Sequence, residues 1–406
     1  MSVQPLSPVN SPDQQVEPVA DVLSICLSGG GYRAMLFHTG ALWRMLELGF
    51  LGNTGVQVTK PDGTQVNIPR IDKISSVSGG TIVSALLALE WAYIAPSTPN
   101  ALDRYKERIV PRIRNMAKIA LAGTSLEGAA KVIKDILLPG SVSEHVEAAY
   151  AEHLYGDKTL QDLPGHPFFV FNASNLQSGA LWRFEKAFMR DYKVGQVKNP
   201  TLALAKAVAA SSAFPPMLAP CLLKLDPGVV LDNDPAHPDP LSSRPYRTEV
   251  YLADGGVYDN LGLETAFKNS RSLLVSNAGA PFDPEESIHT NWVSIGKRCL
   301  DLMEQQLASL RTRLLIQNFK DGERQGAFWA ISSDPTKFKC AVDPFKCDPK
   351  RTKQLAEIST DLDAKSTSVQ ERLINWGYAA TDLSIRSNLH TGAPVPTGFP
   401  YPNAGV

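Results

Sequence analysis

The stretch LSGGGYRAMLFHTGALWRML, Leu27 to Leu46, sets three consecutive glycines between an apolar run and a helical pattern. Upstream, Val22, Leu23, Ile25, Cys26 and Leu27 form the short, nearly continuous apolar run of a strand buried on both faces. Downstream, the spacing predicts a helix from about Ala34 to Leu48. The same order of strand, glycine turn and helix recurs in RIDKISSVSGG and the TIVSALLALEWAYI that follows it. HPFFVFNAS, EVYLADGG and SRSLLVSNAGA supply further strands that end in small or polar residues. Strands alternating with helices predict an α/β fold with a mainly parallel central sheet sandwiched by helices, whose functional groups gather outside the carboxyl ends of the strands.

The bulk composition narrows the class. The chain has 406 residues, 43% hydrophobic and 20% charged, enough for a sizeable core. Forty basic against forty-one acidic residues leave no global field for nucleic acid, so contact with a membrane surface falls to a local patch. Cys26, Cys221, Cys299, Cys340 and Cys347 are odd in number and lack C-x-x-C spacing, which argues against a disulfide framework or a zinc site and for a reducing compartment. The first twenty residues have neither a basic n-region nor an apolar h-region, and no run reaches the roughly 18 apolar residues of a spanning helix. The expectation is a cytoplasmic protein, peripheral at most to membranes.

Residues 1–20 read as a disordered leader, 21–390 as one domain and 391–406 as a flexible tail. Within the domain, about 102–138 reads as a locally basic helical insertion, either a solvated layer or a membrane-contacting face. A Pro/Asp-rich loop covers about 224–247; its Asp232, Asp234, His237 and Asp239 fit no calcium loop and read as turn-forming residues. A long amphipathic helix is expected over Trp292–Gln317 and a closing pair of helical segments over Thr367–Ser387.

Three glycine sites carry the chemistry. Ser76-Val77-Ser78-Gly79-Gly80 is G-x-S-x-G with Ser76 in place of the first glycine, between a strand and a helix, where a nucleophile elbow belongs. A Ser/Gly turn with Ser78 as N-cap explains the same residues. Gly29, Gly30 and Gly31 let several N–H groups converge before a helix, which suits a phosphate or the oxyanion of an acyl intermediate. Neither the P-loop nor the Rossmann spacing follows. Arg33 suits a substrate phosphate or an ion pair that holds the loop. Asp254, before Gly255 and Gly256, is a candidate base at a strand end, or part of an Asp-Gly turn. His38 falls inside the first helix and reads as packed. A carboxylate acting alone as base for a serine needs its pKa lifted from ~3.9 by burial.

LSGGGYRAMLFHTGALWRML, ISSVSGGTIVSALLA, FNASNLQSGALWRF, AVAASSAFPPML and LADGGVYDNLGLE together resemble the patatin-like phospholipases, and GGGYRAM is similar to the cytosolic phospholipases of that superfamily. The resemblance implies a three-layer architecture related to the α/β-hydrolases, a Ser–Asp dyad and a glycine-rich oxyanion loop. It implies a lipid acyl hydrolase of phospholipase A or lysophospholipase type, acting through an acyl-enzyme. Carried over, Ser78 is the nucleophile, Asp254 the base, Gly29, Gly30 and Gly31 the oxyanion hole and Arg33 the loop arginine, with lipid or phospholipid as substrate. Such a set needs no metal or cofactor. Ser76 departs from the elbow pattern, and the resemblance thins beyond Gly262. Two alternatives stand beside this reading: a phosphate-ligand binding module with an unreactive Ser78, and a Ser-His-Asp esterase drawing on His38, His166, His237 or His289.

Overall fold

In this computed structural model residues 19–94, 100–121, 141–226, 241, 245–288 and 290–406 are described. The Pro/Asp-rich loop, with Asp232, Asp234, His237 and Asp239, falls largely outside them, as do residues 1–18 and 122–140.

The first apolar run is strand β1, Ala20–Leu27, and its glycines lead into helix α1, Gly31–Glu47. A hairpin of β2, Val56–Thr59, and β3, Gln65–Ile68, precedes β4, Ile71–Val77, and helix α2, Gly79–Leu89. The remaining strands are β5 (Phe168–Asn175), β6 (Leu181–Phe184), β7 (Phe188–Asp191), β8 (Gly195–Lys198), β9 (Cys221–Lys224), β10 (Glu249–Asp254), β11 (Ser270–Asn277) and β12 (Gln325–Ala330). The main sheet runs β12-β11-β1-β4-β5-β6-β7-β8. Strands β12 through β5 are parallel, and β1, flanked by β11 and β4, is buried over its last five residues, as its continuous apolar run requires. Beyond β5 the short connections impose antiparallel pairing on β6, β7 and β8.

Helices cover the sheet. Helix α1 crosses helix Thr367–Asn388 so closely that a Cβ on Gly40 would overlap the Ile374 carbonyl and one on Gly377 the Phe37 carbonyl. The expected pair of segments at 367–387 is therefore one continuous helix, with Gly377 serving close approach rather than a break. The long helix is Trp292–Lys320, three residues beyond the expected end. Residues 391–406 are not a free tail. Asn375 Nδ2 donates to the carbonyls of Tyr401 and Gly405 at 2.8 and 2.7 Å, and Asn375 Oδ1 accepts from Tyr401 N at 2.9 Å.

Strand β5 joins the two ends that matter. Val77, the last residue of β4, lies opposite Asn172, and Asp254, the last residue of β10, lies opposite the next residue, Ala173. Because β6 occupies the other edge of β5 at Ala173, β4 and β10 share one edge and meet head-on, one parallel and one antiparallel to β5. Both carboxyl ends thus point into the same gap.

Candidate active site

Ser78 follows β4 with φ 48° and ψ −119°, a conformation that costs a non-glycine residue of order 1–3 kcal/mol and persists only where its surroundings hold it. The Ser78 N–H donates to Ser211 Oγ at 3.0 Å, and Ser211 Oγ donates to the Asn172 carbonyl at 2.7 Å and meets Thr81 Oγ1 at 2.9 Å. The elbow also requires bare neighbours. A Cβ on Gly79 would overlap the Gly31 carbonyl, and one on Gly80 would lie 2.6 Å from the carbonyl oxygens of Leu27 and Ser28. Ser76 fits at the position the elbow pattern gives to glycine because its hydroxyl is partnered, donating to the Val170 carbonyl at 3.4 Å and accepting from Thr81 at 3.2 Å. Although Ser78 stands at the start of α2, its side chain makes no capping bond, which removes the N-cap reading.

Asp254 is 1% exposed. Its Oδ1 accepts from Gly256 N at 2.7 Å, while Oδ2 is buried with no partner at hydrogen-bonding geometry. Burial pushes this carboxyl from 3.8 up to about 7, opposed by the Gly256 N–H and by the nearby Ser78 hydroxyl. The Ser78 hydroxyl acts on the carboxyl without closing a formed bond, as is common before substrate tightens a site. An aspartate at that value is divided between acid and base near neutrality, which an ordinary carboxylate is not.

The glycine loop lies against the elbow: a Cβ on Gly29 would sit 3.2 Å from Ser78 Cβ. Gly30, at φ 132°, and Gly31, at φ 54°, adopt backbone closed to most other residues. Their N–H groups make no hydrogen bond among the described residues and stand at the N-terminus of α1. Gly29 differs from the expectation. Its N–H is committed to Asn260, 3.0 Å from the main-chain oxygen and 3.1 Å from Oδ1, so it braces the loop and is not a free oxyanion donor.

Arg33 also departs from the phosphate reading. The side chain is buried, with Nη1 donating to the carbonyls of Ala356 and Ile358, both at 2.6 Å, and Nη2 to that of Ala278 at 2.7 Å. Burial lowers it to about 10, against the attraction of Asp283 and Asp361. Arg33 ties three segments around the loop and has no outward face for a headgroup.

The histidines offer no base among the described residues. His38 is fully buried, with Nε2 3.0 Å from the Ser28 carbonyl and Nδ1 2.9 Å from Ser276 Oγ, and burial pushes it down to about 3. The carbonyl can only accept, so Nε2 carries the proton of a neutral ring. His166 faces Asp72 at 3.3 Å, and His237 and His289 lie outside the described residues. Among the described residues no cluster of His, Cys, Asp and Glu suits a metal, and the five cysteines are unpaired.

In the described part of the basic insertion, up to Leu121, five basic side chains are engaged within the protein. Arg108 and Arg112 pair with Glu90, Arg114 with Glu371 and Lys106 with Asp103, while Arg104 donates to the Tyr93 carbonyl. A run of exposed apolar residues lies instead on helix Trp292–Lys320, where Trp292, Ile295, Leu302, Met303, Leu310 and Leu314 face solvent. Among the described residues no helix is long and apolar enough to cross a membrane.

Fold and site together define an α/β protein with a strained serine elbow beneath a glycine loop. The chain belongs to the patatin-like phospholipase family, which it matches over residues 25–267. Among solved structures it is similar to human GIVD cytosolic phospholipase A2, with 14% identity and a TM-score of 0.51, covering 89% of this chain and 58% of that one. The same human protein in complex with methyl gamma-linolenyl fluorophosphonate aligns with 14% identity and a TM-score of 0.47, over 89% and 57% of the two chains. The chain thus spans well under two thirds of that neighbour's length, and the likeness is one of fold. No curated protein matches the chain.

Proposed function

We propose that the protein hydrolyses carboxylic esters of glycerolipids, as a phospholipase A or lysophospholipase, through Ser78 and Asp254. The observation that carries this reading is the head-on meeting of β4 and β10 on β5, which sets a strained serine against a buried carboxyl raised to about 7 with one oxygen unpartnered. Asp254 Oδ2 takes the proton as Ser78 Oγ bonds to the ester carbonyl carbon, and the carbonyl oxygen becomes an oxyanion facing the Gly30 and Gly31 N–H groups. Collapse expels the lysolipid alcohol, protonated from Asp254, and leaves an acyl-Ser78 ester. Water, deprotonated by the same carboxylate, then attacks the acyl ester, and Asp254 returns that proton to Ser78 Oγ as the fatty acid leaves. Oxyanion donors of this kind are each worth about 3 kcal/mol of barrier. The exposed stripe from Trp292 to Leu314 supplies a surface for a lipid aggregate.

Incubation of the pure protein with a mixed membrane-lipid extract tests the reading. Release of free fatty acid with lysolipid, abolished in Ser78→Ala, is expected; release of headgroup alone, or fatty-acid release undiminished in that variant, would overturn it.

A further inference from the structure

His38 stands about two turns into helix α1, on the face that carries Gly31. Side chains on a helix lean toward its N-terminus, so the ring reaches back to the loop from which the helix starts. There Nε2 donates to the Ser28 carbonyl at 3.0 Å. Burial keeps the ring neutral, which leaves Nδ1 to accept from the Ser276 hydroxyl at 2.9 Å.

The carbonyl that His38 holds belongs to the peptide joining Ser28 to Gly29. The N–H of that same peptide is the one taken by Asn260, at 3.0 Å by the main-chain oxygen and 3.1 Å by Oδ1. One rigid plane is thus gripped at both poles, by His38 from α1 and by Asn260 from the segment after Asp254. Held at the N–H alone, it could pivot about that bond. The other polar groups of Ser28 are also engaged: its N–H donates to the Ser276 carbonyl at 3.1 Å, and its Oγ accepts from Ala278 N at 2.7 Å. Ser276 therefore serves the loop twice, through its own carbonyl and through His38. The next two residues are Gly30, at φ 132°, and Gly31, at φ 54°, which have no side chains to fix their conformation. The aim of their N–H groups has to be set by the peptide that precedes them.

We propose that His38 is a positioning residue for acyl transfer: it holds the Ser28 carbonyl so that the peptide leading into Gly30 and Gly31 presents their N–H groups to the forming oxyanion. This deepens, and rests on, the reading of Ser78 and Asp254 above. The role asks for a donor at Nε2 and an acceptor at Nδ1, and for no proton transfer. Two substitutions separate it from the histidine of a Ser-His-Asp esterase. Leucine fills much of the space but leaves the Ser28 carbonyl without this donor. Glutamine carries a donor and an acceptor on one amide carbon, as the ring carries them on one carbon, yet its amide cannot take up a proton as a base.

The experiment uses the full chain, with p-nitrophenyl butyrate turnover and amide hydrogen exchange at Gly29 as readouts. His38→Leu is expected to lower kcat about thirtyfold with KM within about twofold, and to speed exchange at Gly29 about tenfold as the plane turns from Asn260. His38→Gln is expected to return both kcat and exchange to within about threefold of the wild type. A His38→Leu protein that leaves kcat or Gly29 exchange unchanged would overturn the proposal. So would a His38→Gln protein outside the stated range, the result expected of a histidine that moves a proton. If His38→Leu does not fold, the same limits on His38→Gln decide for or against the role. If the wild type turns over no ester, the reading of Ser78 and Asp254 fails, while Gly29 exchange in the two variants still supports or refutes the hold of His38 on the loop.

Discussion

Replacing Asp254 by asparagine should abolish turnover and, at alkaline pH, stabilise the protein. The carboxyl is raised from 3.8 to about 7 in the folded state, chiefly because burial disfavours its charge. The folded state therefore holds this proton more tightly than the unfolded chain, and stability falls as pH rises between those two values. The loss is absent near pH 4 and complete above pH 7; three pH units at about 1.4 kcal/mol each make it about 4 kcal/mol. The substituted amide would stay neutral throughout, its oxygen still able to accept from Gly256 N and its nitrogen standing where the carboxyl Oδ2 is now unpartnered. Urea unfolding of both proteins at pH 4 and pH 8, read as midpoint shifts at constant m, measures the difference. Near-equal stability is expected at pH 4, and a gain of a few kcal/mol for Asp254→Asn at pH 8. A difference independent of pH, or a variant less stable at pH 8, would refute the claim that the fold bears a cost to keep this carboxylate charged.

Gly30→Ala should lower kcat about a hundredfold with little change in KM, because a Cβ there would press on the Ala278 carbonyl at 2.6 Å, at a φ of 132°, and shift the oxyanion donors; steady-state kinetics on a soluble ester checks it. Arg33→Lys keeps the charge but loses the planar fork that serves three carbonyls, and should cost about 3 kcal/mol of stability in denaturant titration. Its KM for a phospholipid and for a phosphate-free acylglycerol should change in parallel; a selective loss on the phospholipid would restore Arg33 as a headgroup ligand.

The parts of this molecule that can be read along the chain are those dictated by backbone sterics. An apolar run ending in glycines announces a strand turning tightly into a helix, which is why β1, α1, β4, α2 and the candidates Ser78 and Asp254 are legible. What escapes depends on partners far away in sequence. Nothing local to Gly29 shows that Asn260, 231 residues on, takes its N–H, and nothing near Arg33 shows the carbonyls of Ala278, Ala356 and Ile358. Ser211 and Asn260 lie in stretches that carry the family resemblance, but their roles are set by tertiary contacts without local periodicity. The antiparallel arrival of Asp254 is hidden for the same reason, since β10 shows its direction only once β5 and β9 are beside it.

The central claim is that Ser78 and Asp254 act as one unit. Its most direct measurement is the rate at which a long-chain fluorophosphonate modifies the protein, with the adduct located by mass spectrometry, in the wild type and in Asp254→Asn across pH 5–9. The claim predicts a single adduct on Ser78, a wild-type rate that rises with a midpoint near 7, and a loss of about a hundredfold or more in Asp254→Asn with no midpoint left. An adduct on another serine, or an Asp254→Asn protein that reacts at the wild-type rate, would contradict it.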